Sequence, residues 1–176
     1  MKDSKLIQKL HSGDKEAAGI IIERYYEDIY RFCLYMVQIE ADAYDITQET
    51  FLKFMKYGSS YKHNNLKGYL LTIARNLCFD YFRSKSQKAA AADWEELDKH
   101  QTRTDRMAET EDAVYLKYLL KELSEDIREV VILRTYEEMR FKDIAKIMGC
   151  SLSTAKSRYR LGISQLKRMM ENEYER

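Results

Sequence analysis

The sequence predicts an all-α protein of two small helical domains joined by a flexible linker. Three observations carry this expectation. The 176 residues contain no Pro and only six Gly, so few positions interrupt a helix. Apolar residues recur at three- and four-residue spacing through most of the chain, the period of a helix face and not of a strand. Residues 84–112 (SKSQKAAAADWEELDKHQTRTDRMAETED) lose that period and are mostly charged or small, with Trp94 and Leu97 as their main apolar content. Such composition reads as a linker, although the Ala run and Trp94 also suit a short docked helix. The domains are therefore expected at 1–86 and 113–176, with the linker at 87–112.

Residues 2–12 are expected to form a short amphipathic helix through Leu6, Ile7 and Leu10, broken at Ser12-Gly13-Asp14. A long helix follows from Lys15 to Val37, with Ala17, Ile21, Tyr25, Ile29, Phe32 and Met36 facing inward. A third begins near Ala41 and ends at Gly58, where a loop rich in Gly, Ser, His and Asn intervenes. The next, NLKGYLLTIARNLCFDYFRSK, places Leu70, Ile73, Ala74, Leu77 and Tyr81 at core spacing. After the linker, Val114, Leu116, Leu119, Leu120 and Leu123 mark a helix from Ala113. Ser124 is then the expected N-cap of SEDIREVVILRTYEEM, whose first turn carries Glu125 and Asp126.

The last thirty residues of this periodic region, Phe141 to Met170, read as two helices around a tight turn. Ile144, Ala145, Ile147 and Met148 form the buried face of the first. Gly149 ends it, since Gly takes a positive φ without penalty. Ser151 offers an oxygen to the open N–H groups of the second helix. From that cap Leu152, Ala155, Tyr159, Ile163 and Leu166 are expected to face inward, leaving Ser153, Thr154, Lys156, Ser157 and Arg160 outward. Small hydroxyls and long cations at the start of the second helix suit the base edges and phosphates of a DNA major groove.

Charge supports nucleic acid as a partner. The net charge of +1 hides four blocks: −2 over residues 1–60, +5 over 61–92, −6 over 93–130 and +4 over 131–176. Two basic blocks flanking an acidic one suggest two nucleic-acid contacts on one chain. No apolar run approaches a membrane span, and the N-terminus MKDSKLIQKLHSGDKEA lacks the apolar stretch of a signal peptide. Cys33, Cys78 and Cys150 are odd in number and lack zinc spacing, and His11, His63 and His100 lack partners at metal or catalytic spacing. The expectation is a soluble cytoplasmic protein with no membrane insertion, no cofactor, no metal and no catalysis of its own.

Two upstream motifs extend the reading. In DITQETFLK, Asp45, Gln48 and Glu49 lie on one helix face, flanked by Phe51 and Lys53, a pattern suited to docking on another protein's helices. Phe51 is equally compatible with the core. In LLTIARNLCFDYFRSK, cations Arg75, Arg83 and Lys85 and the amide of Asn76 interleave with aromatic residues. Such a surface can track a phosphate backbone while rings support unstacked bases. Tyr61, Lys62 and His63 in the preceding loop are further candidates, Tyr81 fits the core better, and Asp80 with Arg83 suits an intrahelical pair.

Together with Leu123–Leu133 and Thr154-Ala155-Lys156-Ser157-Arg158, these motifs resemble the extracytoplasmic-function (ECF) class of bacterial RNA polymerase sigma factors, the minimal type with regions 2 and 4 only. The resemblance covers nearly the whole chain. It implies that Asp45, Gln48, Glu49, Phe51 and Lys53 bind the β′ clamp helices of core RNA polymerase. It implies that Tyr61, Lys62, Arg75, Asn76, Arg83 and Lys85 hold the melted −10 strand of promoter DNA. Ser153, Thr154, Lys156 and Ser157 would read the duplex −35 element while Arg158 and Arg160 hold phosphates. It further implies contact with the polymerase β flap, an anti-sigma factor as partner, and a linker running through the RNA-exit channel. The chain departs from the family pattern in Ser124 for a common Pro, Ala155 for a larger aliphatic residue, Tyr159 for a frequent Leu, and a linker without Pro. A self-sufficient helix-turn-helix regulator of duplex DNA and a helical adaptor that never touches nucleic acid are the two alternatives from other classes.

Overall fold

The computed structural model describes residues 2–58, 61–62, 65–91 and 110–174, and among these the chain forms helices and no strand. In order they are α1 (Asp3–His11), α2 (Lys15–Val37), α3 (Glu40–Tyr57), α4 (Leu66–Ala91), α5 (Glu111–Lys121), α6 (Glu125–Thr135), α7 (Phe141–Met148) and α8 (Leu152–Tyr174). Trp94, Leu97, His63 and His100 lie outside the described residues.

Side-chain caps set several helix starts. Asp14 Oδ1 accepts from the N–H of Glu16 at 2.9 Å at the start of α2, and Asn65 Oδ1 accepts from the N–H of Gly68 at 2.9 Å at the start of α4. Thr110 caps α5 through the N–H of Ala113. Ser124 departs from expectation: it precedes α6 in extended conformation, but its side chain makes no capping bond.

The first domain forms around α2, which packs against α1, α3 and α4. Leu6, Ile21, Ile29, Phe32, Met36, Phe54, Leu70, Leu71 and Ala74 are wholly buried there. Thr47 and Thr50 are also buried, and each hydroxyl donates to the carbonyl four residues back, on Ala43 at 2.7 Å and Ile46 at 2.8 Å. These bonds remove the cost of burying an unpaired hydroxyl. Cys33 and Cys78, 45 residues apart in sequence, meet in this core, where contact with Cys33 and burial push the Cys78 thiol up.

In the second domain α6 packs against α7 and α8, burying Val130 to Leu133, Ile144, Ala145 and Ala155. Gly162 sets the closeness of α8 to α6. A Cβ there would stand 2.6 Å from Val131 Cγ2 and 2.8 Å from Ile127 Cγ2.

Two boundaries differ from the sequence expectation. α4 continues to Ala91, past the domain limit of 86, with every side chain from Arg83 onward exposed. Ala, Lys and Gln sustain a helix by propensity alone, so the lost apolar period signalled lost burial, not lost helix. α5 begins at Glu111, inside the stretch assigned to the linker. Leu152, expected inward, is 45% exposed at the first position of α8, and Val114 in the first turn of α5 is 53% exposed.

The two domains pack against each other, α6 on α2 and α7 on α4. A hydrophobic cluster runs through both domains, and ion pairs add to the contact. Glu137, in the turn after α6, has its side chain fully covered; its Oε1 lies 3.1 Å from Arg31 Nη2 and its Oε2 lies 2.8 Å from Lys67 Nζ. Asp28 completes this cluster, at 3.0 Å from Arg31 and 2.9 Å from Lys67. Arg75 Nε donates to Glu129 Oε1 at 2.7 Å. Arg128 reaches across to the Met36 carbonyl at 2.6 Å, and the Tyr35 and Tyr136 rings meet at 4.9 Å.

Candidate nucleic-acid interface

The helix-turn-helix is built as the sequence indicates. Gly149 takes φ +62°, and Cys150 N–H returns to the Ala145 carbonyl, which closes α7. Ser151 Oγ accepts from the N–H of Thr154 at 3.1 Å and contacts the Thr154 hydroxyl at 2.8 Å. Thr154 thus serves the cap, and its side chain is partly covered. Ser153, Lys156, Ser157 and Arg160 stay exposed along one face of α8. Arg158 points elsewhere, toward Asp126 of α6 at 3.4 Å. Tyr159 packs its ring on Phe141 of α7 at 5.4 Å, and Arg134 of α6 stacks on the same Phe141 ring at 4.8 Å.

On α4 the candidates divide between two faces. Arg75, Asn76 and Arg83 line one shallow depression of about 380 Å³ with Phe79 and Asp80. The Arg75 guanidinium stacks on Phe79 at 4.5 Å, and Arg83 pairs with Asp80 as expected. Lys85 sits on another face, above Tyr81 at 5.7 Å, beside Ile39 and Asp42. The Tyr81 hydroxyl donates to Asp42 at 2.7 Å, and burial together with that carboxylate pushes it up. Tyr61 is only 5% exposed and stacks on Tyr69 at 4.6 Å, so its ring is part of the packing and no free platform for a base. Lys62 beside it is exposed.

On α3, Asp45, Gln48 and Glu49 share an exposed face, with Lys53 at its edge. Phe51 is 5% exposed and lies against Tyr26, so it belongs to the core, the alternative that its spacing also allowed. Four apolar side chains overlooked in the sequence stand on the surface of the same helix: Tyr44, Leu52 (63% exposed), Met55 and Tyr57. Tyr44, Leu52 and Met55 recur with Gln48 at three- and four-residue spacing, and that apolar stripe was the available signal. No cluster able to hold a metal occurs among the described residues.

Comparison with known proteins agrees with this architecture. Residues 21–88 match the model of sigma-70 region 2, and residues 113–166 match that of sigma-70 region 4. The chain is 30% identical over 138 residues to the ECF RNA polymerase sigma factor SigM of Bacillus subtilis, spanning 78% of this chain and 85% of SigM. It is 26% identical to the ECF sigma factor BldN of Streptomyces coelicolor over 96% of this chain, and spans 66% of that relative's length. In fold it resembles the sigma factor RpoE of Bartonella quintana, solved in complex with the anti-sigma factor NepR. That match has a TM-score of 0.77 and 24% identity, and covers 87% of this chain and 96% of RpoE. CnrH, solved with the cytosolic domain of CnrY, matches with a TM-score of 0.75 and 17% identity over 97% of both chains.

The fold and its surfaces define a two-domain, DNA-binding transcription initiation factor. The chain belongs to the ECF sigma factors of the sigma-70 family: it is an alternative sigma factor that binds core RNA polymerase and directs promoter-specific initiation. No helix among the described residues is long and apolar enough to cross a membrane.

Proposed function

We propose that this sigma factor divides its work among three exposed faces. α3 docks on the polymerase clamp helices through Asp45, Gln48, Glu49 and Lys53, with Leu52 as the apolar anchor that a helix-to-helix contact requires. The depression on α4 with Arg75, Asn76 and Arg83 takes up the melted −10 strand, joined by Lys62 from the loop before it. α8 enters the major groove of the −35 element with Ser153, Lys156 and Ser157 toward the bases and Arg160 on phosphate. Thr154 supports this through the cap, and Arg158 through Asp126.

The observation that carries the reading is the α8 face: two cations and two hydroxyls left exposed at the start of a helix whose opposite side is buried. The second domain also meets the β flap, and an anti-sigma factor is a further partner, a reading supported by RpoE having been solved in complex with the anti-sigma factor NepR. The protein acts in the cytoplasm and performs no chemistry itself. Run-off transcription with core polymerase over a genomic promoter library tests the whole scheme. New promoter-specific products should depend on this chain and vanish with Lys156→Ala/Arg160→Ala; products indifferent to that change would exclude α8 as the reader.

A further inference from the structure

The exposed face of α8 continues past the helix-turn-helix. At the α-helical repeat, Ser153, Lys156, Arg160, Ser164 and Lys167 fall on one line along α8, with Arg168 beside its end, and all six side chains are exposed. Arg160, Ser164, Lys167 and Arg168 line one shallow depression of about 570 Å³, closed at its far end by Glu171. Lys167 and Arg168 lie beyond residue 166, where the match to sigma-70 region 4 ends. They are nonetheless held in place, since Leu166 and Met169 on either side of them pack against the core. The helix dipole does not account for the two cations. The last turn of α8 carries no basic residue, and the attraction of a helix C-terminus for cations fades within that turn. Among the described residues neither cation makes an ion pair. Length decides what they can reach. From Ser153 to Arg168 the helix rises about 22 Å, whereas the major groove is about 12 Å wide and curves away. A straight helix that touches base edges with its first turns therefore leaves the groove before its cationic line ends, and the phosphate backbone lies at that edge.

We propose that Lys167 and Arg168 grip the DNA backbone at the edge of the groove that the start of α8 reads, extending the duplex contact about two helical turns beyond Arg160. The partner is duplex phosphate, recognised by charge and not by sequence. The two cations add affinity and set how far α8 enters the groove, without choosing bases. This rests on the reading that α8 enters the major groove, and separate variants test the two.

The experiment measures binding of the full-length chain to a short fluorescein-labelled DNA duplex of mixed sequence by anisotropy, at KCl concentrations from about 50 to 200 mM. Each phosphate contact contributes about 0.9 to the slope of log affinity against log salt. Lys167→Gln/Arg168→Gln should therefore flatten the slope by roughly 2 and weaken binding at the lower salt by at least about fivefold. Gln keeps the helix propensity of both positions and both are exposed, so the melting temperature should not move. Lys167→Arg/Arg168→Lys, which keeps the charges, should keep the wild-type slope. Lys2→Gln/Lys5→Gln, exposed on the first domain with the same loss of charge, should keep it as well. A slope unchanged by Lys167→Gln/Arg168→Gln overturns the proposal, and so does an equal flattening by Lys2→Gln/Lys5→Gln. Lys156→Gln/Arg160→Gln separates the two readings. If it flattens the slope and Lys167→Gln/Arg168→Gln does not, α8 still meets DNA and the extension alone is wrong. If neither flattens it, α8 is not the duplex contact and both readings fall.

Discussion

Arg75 Nε donates to Glu129 Oε1 at 2.7 Å, joining α4 of the first domain to α6 of the second across 54 residues of sequence. The bond is built at the expense of solvation. Burial pushes the Glu129 carboxyl from its ordinary 4.5 up to about 7, against the opposing pull of Arg75. Asp126 on the same helix raises it further, and Arg158 of α8 lowers it; the buried Cys78 thiol faces it from α4. A raised carboxyl contributes stability fully below its unfolded value, and that contribution is lost as pH climbs through the folded value.

Thermal stability should therefore fall between pH 4.5 and about 7 from this group. A 2.5-unit difference corresponds to at most about 3 kcal/mol. Glu129→Gln, neutral throughout, should flatten that part of the profile and be relatively more stable at pH 8 than at pH 5. Melting curves of both proteins across this range check it, and parallel profiles would remove Glu129 as the cause.

Arg128 is 8% exposed and donates only to backbone carbonyls: Leu120 at 2.8 Å, Lys121 and Leu123 at 3.1 Å, and Met36 at 2.6 Å. It closes the C-terminal end of α5 and touches the end of α2. Arg128→Met should cost about 3 kcal/mol, because the orphaned carbonyls remain buried after their donor is lost. Urea denaturation gives the number; a loss below about 0.5 kcal/mol would mean water replaces the guanidinium.

Gly162→Ala sets two effects against each other. Ala in a helix interior gains about 1 kcal/mol over Gly, while forcing a methyl into a filled site costs about 1–3 kcal/mol. The obstructing methyls belong to Val131 and Ile127, both stiff at χ1. The net result should be destabilising by about 1 kcal/mol, and stabilisation in a thermal melt would show that α8 shifts freely on α6.

Leu52→Asp places a charge in the proposed polymerase contact on α3. Since Leu52 is 63% exposed, folding should be unaffected. Affinity for core polymerase should fall about tenfold in a competition assay against a labelled sigma factor. Equal binding would move the docking face off this side of α3.

Lys156→Ala/Arg160→Ala should reduce promoter-specific transcript by at least about tenfold while leaving polymerase binding intact. Replacing Arg158 alone should act differently. Its partner is Asp126, so Arg158→Ala should lower the melting temperature more than it alters promoter choice.

Much of this protein was readable from the chain alone. The bounds of α2 at Lys15 and Val37, the Gly149 turn and the Ser151 cap follow from local rules, because apolar spacing, a left-handed residue and a capping oxygen act within a few residues. The DITQETFLK, LLTIARNLCFDYFRSK and helix-turn-helix motifs, taken together with Leu123–Leu133, likewise pointed to the family. Local rules did not decide which member of a motif is free. Phe51 and Tyr61 carry the right chemistry for binding yet are spent on packing, and Leu52 carries chemistry suited to a core yet stands in solvent. Arg75 and Arg158 count as free cations in sequence but face Glu129 and Asp126 in space. Burial and pairing depend on residues far apart in the chain, and in particular on how α6 and α7 seat against α2 and α4. That is a property of tertiary packing, which no spacing along one helix encodes.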